Sequence, residues 1–172
     1  MADVLEVLKT RRSVRKYKEQ QVPKDLLLKV LEAGTYAPTA MGRQKVRIVA
    51  VQNQEDADAV RKLNAAVMNA NHDPYYGAPT IVIVFSEGDN TRGELDASAV
   101  CMNMLNAAHA LGLASCWINR SKEVFESEEG KTLLRKWDLP DDLVGVASFA
   151  LGYGEGEYPE PAPRRTDYCT IV

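Results

Sequence analysis

Residues 95–111 read Leu-Asp-Ala-Ser-Ala-Val-Cys-Met-Asn-Met-Leu-Asn-Ala-Ala-His-Ala-Leu, and Gly112 follows them. The spacing of the apolar residues predicts a helix, and a glycine at this point is typical of a helix end. From Ala97 to Leu111 the segment has no charged side chain, whereas a helix with one solvent-exposed face usually carries Lys or Glu there. One small domain can hardly cover such a helix on every side. We therefore expect part of it to pack against a second copy of the chain.

Helical and strand patterns alternate around this segment. Asp3 and Glu6 resemble a capping box at a helix start, and Pro23 suits the first turn of a second helix that stops near Gly34. The remaining predicted elements are helices at 55–68 and 122–137, and strands at 47–52, 80–85, 115–118 and 143–151.

Beyond Tyr153 the composition changes to glycines and prolines, which predict an extended tail, and residues 168–172 predict a final strand. Such a tail suits an arm that reaches a partner's sheet, and a loose terminus is the alternative. We predict a single domain over residues 1–153, with residues 154–172 as an arm of the same domain that crosses to the partner subunit.

The bulk composition excludes several classes of protein. The 172 residues are 45% apolar and 26% charged, which is ordinary for one globular domain. A formal charge of -3 argues against a general nucleic-acid binder, and no stretch approaches the roughly 20 apolar residues of a membrane span. Residues 1–4 show no signal-peptide pattern. The three scattered cysteines favour a reducing compartment, and the two histidines argue against a metal site. We expect a cytoplasmic protein with no metal, nucleic-acid or membrane partner.

Two basic runs stand at opposite ends of the chain, Arg-Arg-Ser-Val-Arg at 11–15 and Arg-Arg at 164–165. The planar guanidinium group matches phosphate oxygens, and a serine hydroxyl adds a further donor. A chain that folds back to bring both runs together would form a closed anion pocket. The alternative for the first run is a solvated face that favours a helix C-terminus.

No glycine-rich phosphate loop is present, so side chains would have to hold any phosphate. Cys116 has no neighbouring histidine to act as a base, and His109 lies within the uncharged helix, so both are interpreted as packed residues. No other side chain stands out as an acid, base or nucleophile. If the chain is an enzyme, a bound cofactor would therefore carry out the bond-making and redox steps of its reaction.

Four segments occur in order along nearly the whole chain: R-R-S-V-R-K-Y at 11–17, A-P-T-A-M-G-R-Q at 37–44, a stretch from Tyr76 to Ile118, and L-G-Y at 151–153 with P-R-R at 163–165. Together they resemble the nitroreductase family of FMN-dependent oxidoreductases, in its short-chain form. The resemblance implies an α+β fold with a central, mostly antiparallel β-sheet flanked by helices. It also implies a homodimer with FMN in clefts at the interface and a C-terminal arm that crosses to the partner.

The resemblance further implies which residues surround FMN. The phosphate and ribityl chain would be held by the first basic run: Arg11, Arg12, Ser13 and Arg15. The closing phosphate clamp would be the second run: Arg164 and Arg165. Three residues would come from the other subunit and line the flavin: Thr39, Met41 and Gln44. The backbone of three residues would run past the reactive edge of the ring: Trp117, Ile118 and Asn119. Asn71 would supply a side-chain amide to the flavin pyrimidine.

The reaction implied is a ping-pong cycle in which NADH or NADPH delivers hydride to FMN, and a nitroaromatic, quinone or similar small acceptor then takes the electrons. No catalytic side chain is implied, because the cofactor carries the chemistry. Two departures bear on substrate choice: Gly42 stands where the family usually has asparagine, and Lys45-Val46 replaces a common Pro-Trp pair.

Other functions remain open at this point. A divergent relative would break down flavin with oxygen or dehalogenate its substrate. A flavin-storing or redox-sensing protein would hold FMN that nicotinamides reduce very slowly. A nucleic-acid module built on residues 11–18 would bind DNA in a salt-sensitive way and carry no chromophore.

Overall fold

The computed structural model describes residues 3–172. Its centre is a four-stranded sheet in the order β1-β2-β4-β3, and every neighbouring pair is antiparallel. The elements, in chain order, are α1 Val4–Thr10, α2 Lys24–Thr35, a 3-10 turn Ala40–Gly42, β1 Val46–Val51, α3 Gln54–Met68, β2 Thr80–Ser86, α4 Gly93–Ala110, β3 Ala114–Ile118, α5 Ser121–Glu126, α6 Glu128–Lys136 and β4 Val144–Gly152. The predicted α+β fold with an antiparallel sheet is confirmed.

Strand β2 lies in the middle of the sheet, and all of its residues are buried. Because side chains alternate along a strand, Ile81, Ile83 and Phe85 belong to one apolar cluster and Val82 and Val84 to another. The first cluster is covered by α3, α5 and α6, and the second by α2 and α4. The molecule is therefore a sheet between two layers of helices.

Helix α1 begins where the sequence predicted, but its apolar stripe is not buried. Asp3 accepts a hydrogen bond from the Leu5 amide at 2.8 Å, whereas Glu6 pairs with Lys9 and does not complete the reciprocal half of a capping box. Only Val7 of this helix is buried. Val4 is 70% exposed, Leu5 61% and Leu8 53%. The apolar side of α1 thus lies open in the single chain.

The helix predicted over residues 122–137 is wrong as a single element, because α5 and α6 are separate and meet at Ser127. Ser127 is extended, with φ -71° and ψ 156°. Its hydroxyl donates to Val124 O at 2.6 Å and accepts from the Gly130 amide at 3.0 Å. One side chain therefore satisfies the end of α5 and the start of α6.

The arm forms no strand within the single chain, so the strand predicted at 168–172 is not found there. Residues 155–172 are exposed, and no strand of residues 3–172 pairs with them. A strand needs a neighbouring edge to supply hydrogen bonds, and only the start of the arm has one within residues 3–172: Gly154 bridges to Tyr17, and Glu155 N–H donates to Lys16 O at 3.0 Å. None of the helices between residues 3 and 172 is both long and apolar enough to cross a membrane.

Candidate functional site

The first basic run lies along the free edge of the sheet, beside β3. Val14 N–H donates to Ser115 O at 3.0 Å, and Ser13 forms a parallel bridge to the same residue. Val14 and Tyr17 are buried by this pairing, whereas Arg15 is exposed. The short bridge therefore fixes which way each residue of the run faces.

Arg12 caps the end of α1, as the alternative interpretation of the first run anticipated. Its Nη1 donates to the carbonyls of Lys9 and Arg11, at 2.7 Å each. Arg11 is half-buried, and its guanidinium group forms no hydrogen bond within residues 3–172. The donors of Arg11 are thus available to a ligand, whereas Arg12 shares its donors with the helix end.

A cavity of about 570 Å³ lies between the end of α1 and the C-terminal arm. One side is formed by Leu8, Lys9, Arg11 and Arg12, and the other by residues 161–164. Both basic runs therefore contribute to one cavity within a single chain, and its lining has cationic but no acidic side chains. In the cavity wall Arg164 uses Nε and Nη2 to bind Ala162 O, at 3.0 and 2.6 Å.

Arg165 does not line this cavity. It forms a two-pronged ion pair with Asp167, with Nε to Oδ1 at 3.0 Å and Nη2 to Oδ2 at 2.7 Å. The hydrogen bonds from Arg165 lower the pKa of the Asp167 carboxyl below its usual range. Of the predicted clamp, the structure thus brings Arg164 to the first run and leaves Arg165 on the surface of the arm.

Arg15 and Cys116 lie on the sheet edge near the loop after α3. The Arg15 guanidinium carbon is 6.0 Å from the centre of the Tyr76 ring, within range of a cation–π contact. Cys116 is buried, and this burial raises the pKa of its thiol although Arg15 opposes the shift. The thiol is therefore the stable form of Cys116 at neutral pH, in agreement with its interpretation as a packed residue.

Thr39, Met41 and Gln44 lie on an exposed loop before β1 that the backbone holds in an unusual shape. Met41 has φ 57° and Gln44 has φ 53°, values that L-residues rarely adopt. Gly42, with φ 65°, also lies in the left-handed region. Asparagine and glycine are the residues that tolerate this region best, so the glycine at this position preserves the turn. The Thr39 hydroxyl accepts a hydrogen bond from Gln44 N–H at 3.0 Å.

This loop and the arginine cavity share no lining residue in the single chain. Met41 is 83% exposed, and the small cavity of about 90 Å³ beside Thr39 and Gln44 is formed by α2, α4 and β1. The two groups of predicted FMN residues are therefore separate parts of the surface of one chain.

The stretch after β3 forms a tight polar turn. Ile118 is buried and Asn119 is exposed. Trp117 Nε1 donates to Asn119 Oδ1 at 2.8 Å. Asn71 lies in the exposed loop after α3, where its side chain forms no hydrogen bond with any residue from 3 to 172.

Two residues of this region were missed by the sequence analysis. Asn64 is fully buried and donates to Asn119 O at 2.9 Å, and Arg120, with φ 76°, donates from Nε to Asn64 Oδ1 at 3.0 Å. The signal was present, because Asn64 continues the buried stripe of α3 that contains Ala57 and Val60. An amide at a core position of a helix needs polar partners.

The family model described as "Nitroreductase family" matches residues 8–75 and 68–153. The chain belongs to the nitroreductase family. It is accordingly an oxidoreductase, and the family assignment made from the four sequence segments is confirmed.

Relatives and solved structures agree with this assignment. A protein of Methanothermobacter thermautotrophicus, provisionally named NADH dehydrogenase/NAD(P)H nitroreductase, is 29% identical over 160 residues, which are 88% of this chain and 77% of the relative. A crystal structure of a Bacteroides fragilis nitroreductase with bound FMN is 32% identical, covers 100% of both chains and has a TM-score of 0.91. A second nitroreductase with bound FMN, from Desulfitobacterium hafniense, is 24% identical over 100% of this chain and 99% of its own, and its TM-score of 0.88 supports the fold.

Proposed function

We propose that the chain is an FMN-dependent oxidoreductase that takes hydride from NADH or NADPH and reduces nitroaromatic, quinone or similar small acceptors by a ping-pong mechanism. The observation that carries this proposal is the cavity of about 570 Å³ that Arg11, Arg12 and Arg164 line together. Family membership and the FMN bound in the Bacteroides fragilis relative support the same assignment.

The donors around this cavity fit the phosphate group of FMN. Near neutrality that phosphate carries up to about two negative charges and accepts several charge-assisted hydrogen bonds. Arg11 has its whole guanidinium group available, whereas the ammonium group of Lys9 in the lining is already paired with Glu6 at 3.3 Å. An anion bound between the guanidinium groups of Arg11, Arg12 and Arg164 would offset the repulsion among these three charges.

When bound, FMN supplies the redox chemistry, because its ring accepts a hydride and passes electrons to an acceptor. The residues of the chain bind and orient it. We assign Arg11, Ser13 and Arg15 to the phosphate and ribityl chain, with Arg12 nearby and Arg164 closing the cavity. The remaining assignments follow the resemblance: Thr39, Met41 and Gln44 along the flavin, Trp117, Ile118 and Asn119 beside the ring edge, and Asn71 at the pyrimidine.

We further propose that the active form is a homodimer. The exposed apolar side of α1 and the uncharged side of α4 border one groove, which contains Val4, Leu8, Asn106 and Ala110. Apolar surface of this kind is typical of an interface between subunits. Since the loop of Met41 shares no cavity with Arg11 in one chain, a second copy would bring the two groups together. The exposed end of the arm, residues 165–172, lies beyond the segment that lines the cavity and would then pack on that copy.

A spectroscopic experiment tests the cofactor assignment. The purified protein should be yellow, with the absorption of oxidised flavin, and should bleach on anaerobic addition of NADH or NADPH. The double variant Arg11→Ala with Arg164→Ala should purify without flavin, because the cavity loses two of its three guanidinium groups.

The matched control for this experiment is Arg165→Ala, which removes a neighbouring arginine whose donors are bound to Asp167 and lie outside the cavity. It should keep its FMN. Stoichiometric FMN in the Arg11/Arg164 variant would refute the phosphate assignment. Steady-state rates with NADPH and nitrofurazone should give parallel double-reciprocal lines, and intersecting lines would refute the ping-pong mechanism.

A further inference from the structure

The buried side chain of Asn64 is the centre of a polar network beneath the turn that follows β3. Its Nδ2 donates to Asn119 O at 2.9 Å and approaches the Tyr75 hydroxyl at 3.4 Å, and its Oδ1 accepts from Arg120 Nε at 3.0 Å. Both ends of the amide are therefore occupied, which fixes its orientation. Because Asn64 has no exposure to solvent, water does not replace any of these partners at low cost.

Arg120 adopts a backbone conformation that its side chain does not favour. Its φ of 76° and ψ of 11° lie in the left-handed region, which is unfavourable for an L-residue other than glycine. The hydrogen bond from its Nε to the buried Asn64 Oδ1, at 3.0 Å, helps to offset this cost. Strained residues held in this way cluster at functional sites.

The same turn is held from a second side by β4. Ser148 Oγ donates to Ile118 O at 3.2 Å and lies 2.9 Å from the Tyr75 hydroxyl. Two side chains therefore bind the carbonyls of two consecutive residues: Ser148 binds Ile118, and Asn64 binds Asn119. The backbone from Trp117 to Arg120 is thus fixed by buried groups that do not themselves reach the surface.

We propose that Asn64 and Arg120 are positioning residues that set the redox properties of bound FMN, because they hold the turn assigned to the reactive edge of the ring. This inference rests on the proposed function and extends it. Asn64 acts from behind the turn, and Arg120 acts through the shape of its own backbone. Interactions that orient a reacting group must be held to within a fraction of an ångström, and a turn with its buried partners removed loses that definition.

Two variants remove the network in different ways. Asn64→Leu introduces a side chain similar in size to asparagine and leaves Asn119 O and Arg120 Nε without their hydrogen-bond partner. Arg120→Gly keeps the left-handed backbone accessible but removes the side chain that holds it. In both, the ratio of the dissociation constants of reduced and oxidised FMN should rise about tenfold, which corresponds to a fall of about 30 mV in the two-electron reduction potential.

Matched controls separate positioning from stability. Asp138 is another non-glycine residue in the left-handed region, with φ 56°, at the end of α6, and Asp138→Gly should leave the potential unchanged. Leu63→Ala alters the neighbouring residue on α3, and should lower the melting temperature without moving the potential. Each protein is first checked by thermal melting in its FMN-free form, and Arg120→Gly provides the answer if Asn64→Leu does not fold.

The failure of this inference is distinguishable from the failure of the proposed function. If the wild-type protein binds no FMN, the proposed function fails, and the inference fails with it. If the wild-type protein binds FMN while Arg120→Gly and Asn64→Leu keep its potential, its visible circular dichroism and both dissociation constants, the positioning role alone is overturned.

Discussion

The backbone N–H of Ala40 donates a hydrogen bond of 2.9 Å to Oδ1 of Asp96, a carboxylate on α4 that is only 6% exposed. The second oxygen of Asp96 accepts from Asn90 Nδ2 at 3.1 Å. Both oxygens are therefore occupied by neutral donors. The loop that carries Thr39, Met41 and Gln44 is thus tied to the central helix through a single buried side chain.

The substitution Asp96→Ala should lower the free energy of unfolding by about 2 kcal/mol, because it leaves a partly buried amide and Asn90 Nδ2 without their charged acceptor. Asp96→Asn should cost about half as much, on the order of 1 kcal/mol, since its carbonyl oxygen still accepts from Ala40. Urea unfolding monitored by circular dichroism measures both values. Equal losses for the two variants would show that the negative charge, and not the acceptor for Ala40, is what stabilises the loop.

The imidazole of His109 gives stability a specific dependence on pH. Its Nε2 lies 2.9 Å from Thr10 Oγ1. Because the Thr10 hydroxyl uses its own hydrogen to donate to Glu6 O, its oxygen accepts a hydrogen bond from the Nε2–H of the ring. Partial burial, and then the charges of Arg11 and Arg12, hold the pKa of His109 below its usual value. The unfolded chain therefore binds a proton at this position more readily than the folded chain, and stability falls as the pH drops through about 6.5 toward the lowered pKa.

His109→Gln should remove this component, because glutamine can donate to Thr10 and does not titrate. Urea unfolding at several pH values between 7.5 and 5, in a buffer without phosphate, should show a smaller loss of stability for the variant than for the wild type. A loss that is identical in the two proteins would assign the whole acid dependence to other groups.

The break between α5 and α6 depends on the hydroxyl of Ser127. Ser127→Ala should cost about 1 kcal/mol, the usual value for a lost N-cap, and lower the melting temperature by about 2–4 °C in a domain of this size. Ser127→Asp keeps an acceptor for the Gly130 amide and should retain most of the stability. If the alanine variant has the same melting temperature as the wild type, water caps the start of α6 equally well.

The periodicity of apolar residues predicted most of the elements to within two residues, because most of the helices and strands bury an apolar face in the core. The strand at 80–85 was clear since β-branched residues fill both of its faces. The break at Ser127 was not predicted, although Gly130 follows it by three residues and packs so closely that a Cβ there would lie 2.0 Å from Val124 O. Local pattern does not reveal that one hydroxyl acts on both helix ends at once. The strand order was not predicted either, because β2 pairs with β4 across about 65 residues of chain and local pattern does not reveal such distant pairs.

The candidate site was predictable in part. The sequence predicted that the two basic runs meet, and Arg11 and Arg164 do line one cavity. Arg165 lies outside the cavity because it pairs with Asp167, two residues later. The sequence shows this acidic residue, which competes with a phosphate for the guanidinium group. Which arginine faces the cavity, however, depends on the direction of the arm, and local pattern does not determine that.

The proposed dimer predicts that charges on the apolar side of α1 separate the subunits. Val4→Glu with Leu5→Glu places two carboxylates on side chains that are 70% and 61% exposed in the single chain. Acidic residues in the first turn of a helix favour its macrodipole, so the fold should persist, as far-ultraviolet circular dichroism would show. Burial of the carboxylates in an interface between two copies would be costly. The variant should therefore sediment as a monomer and, because Met41 and its loop would come from the partner, should also lose FMN.

The matched control is Val67→Glu, which changes another exposed apolar residue, on α3, and should leave both the dimer and the bound FMN unchanged. A Val4/Leu5 variant that remains dimeric would place the interface elsewhere, and a wild-type protein that sediments as a monomer with FMN bound would show that one chain holds the cofactor alone.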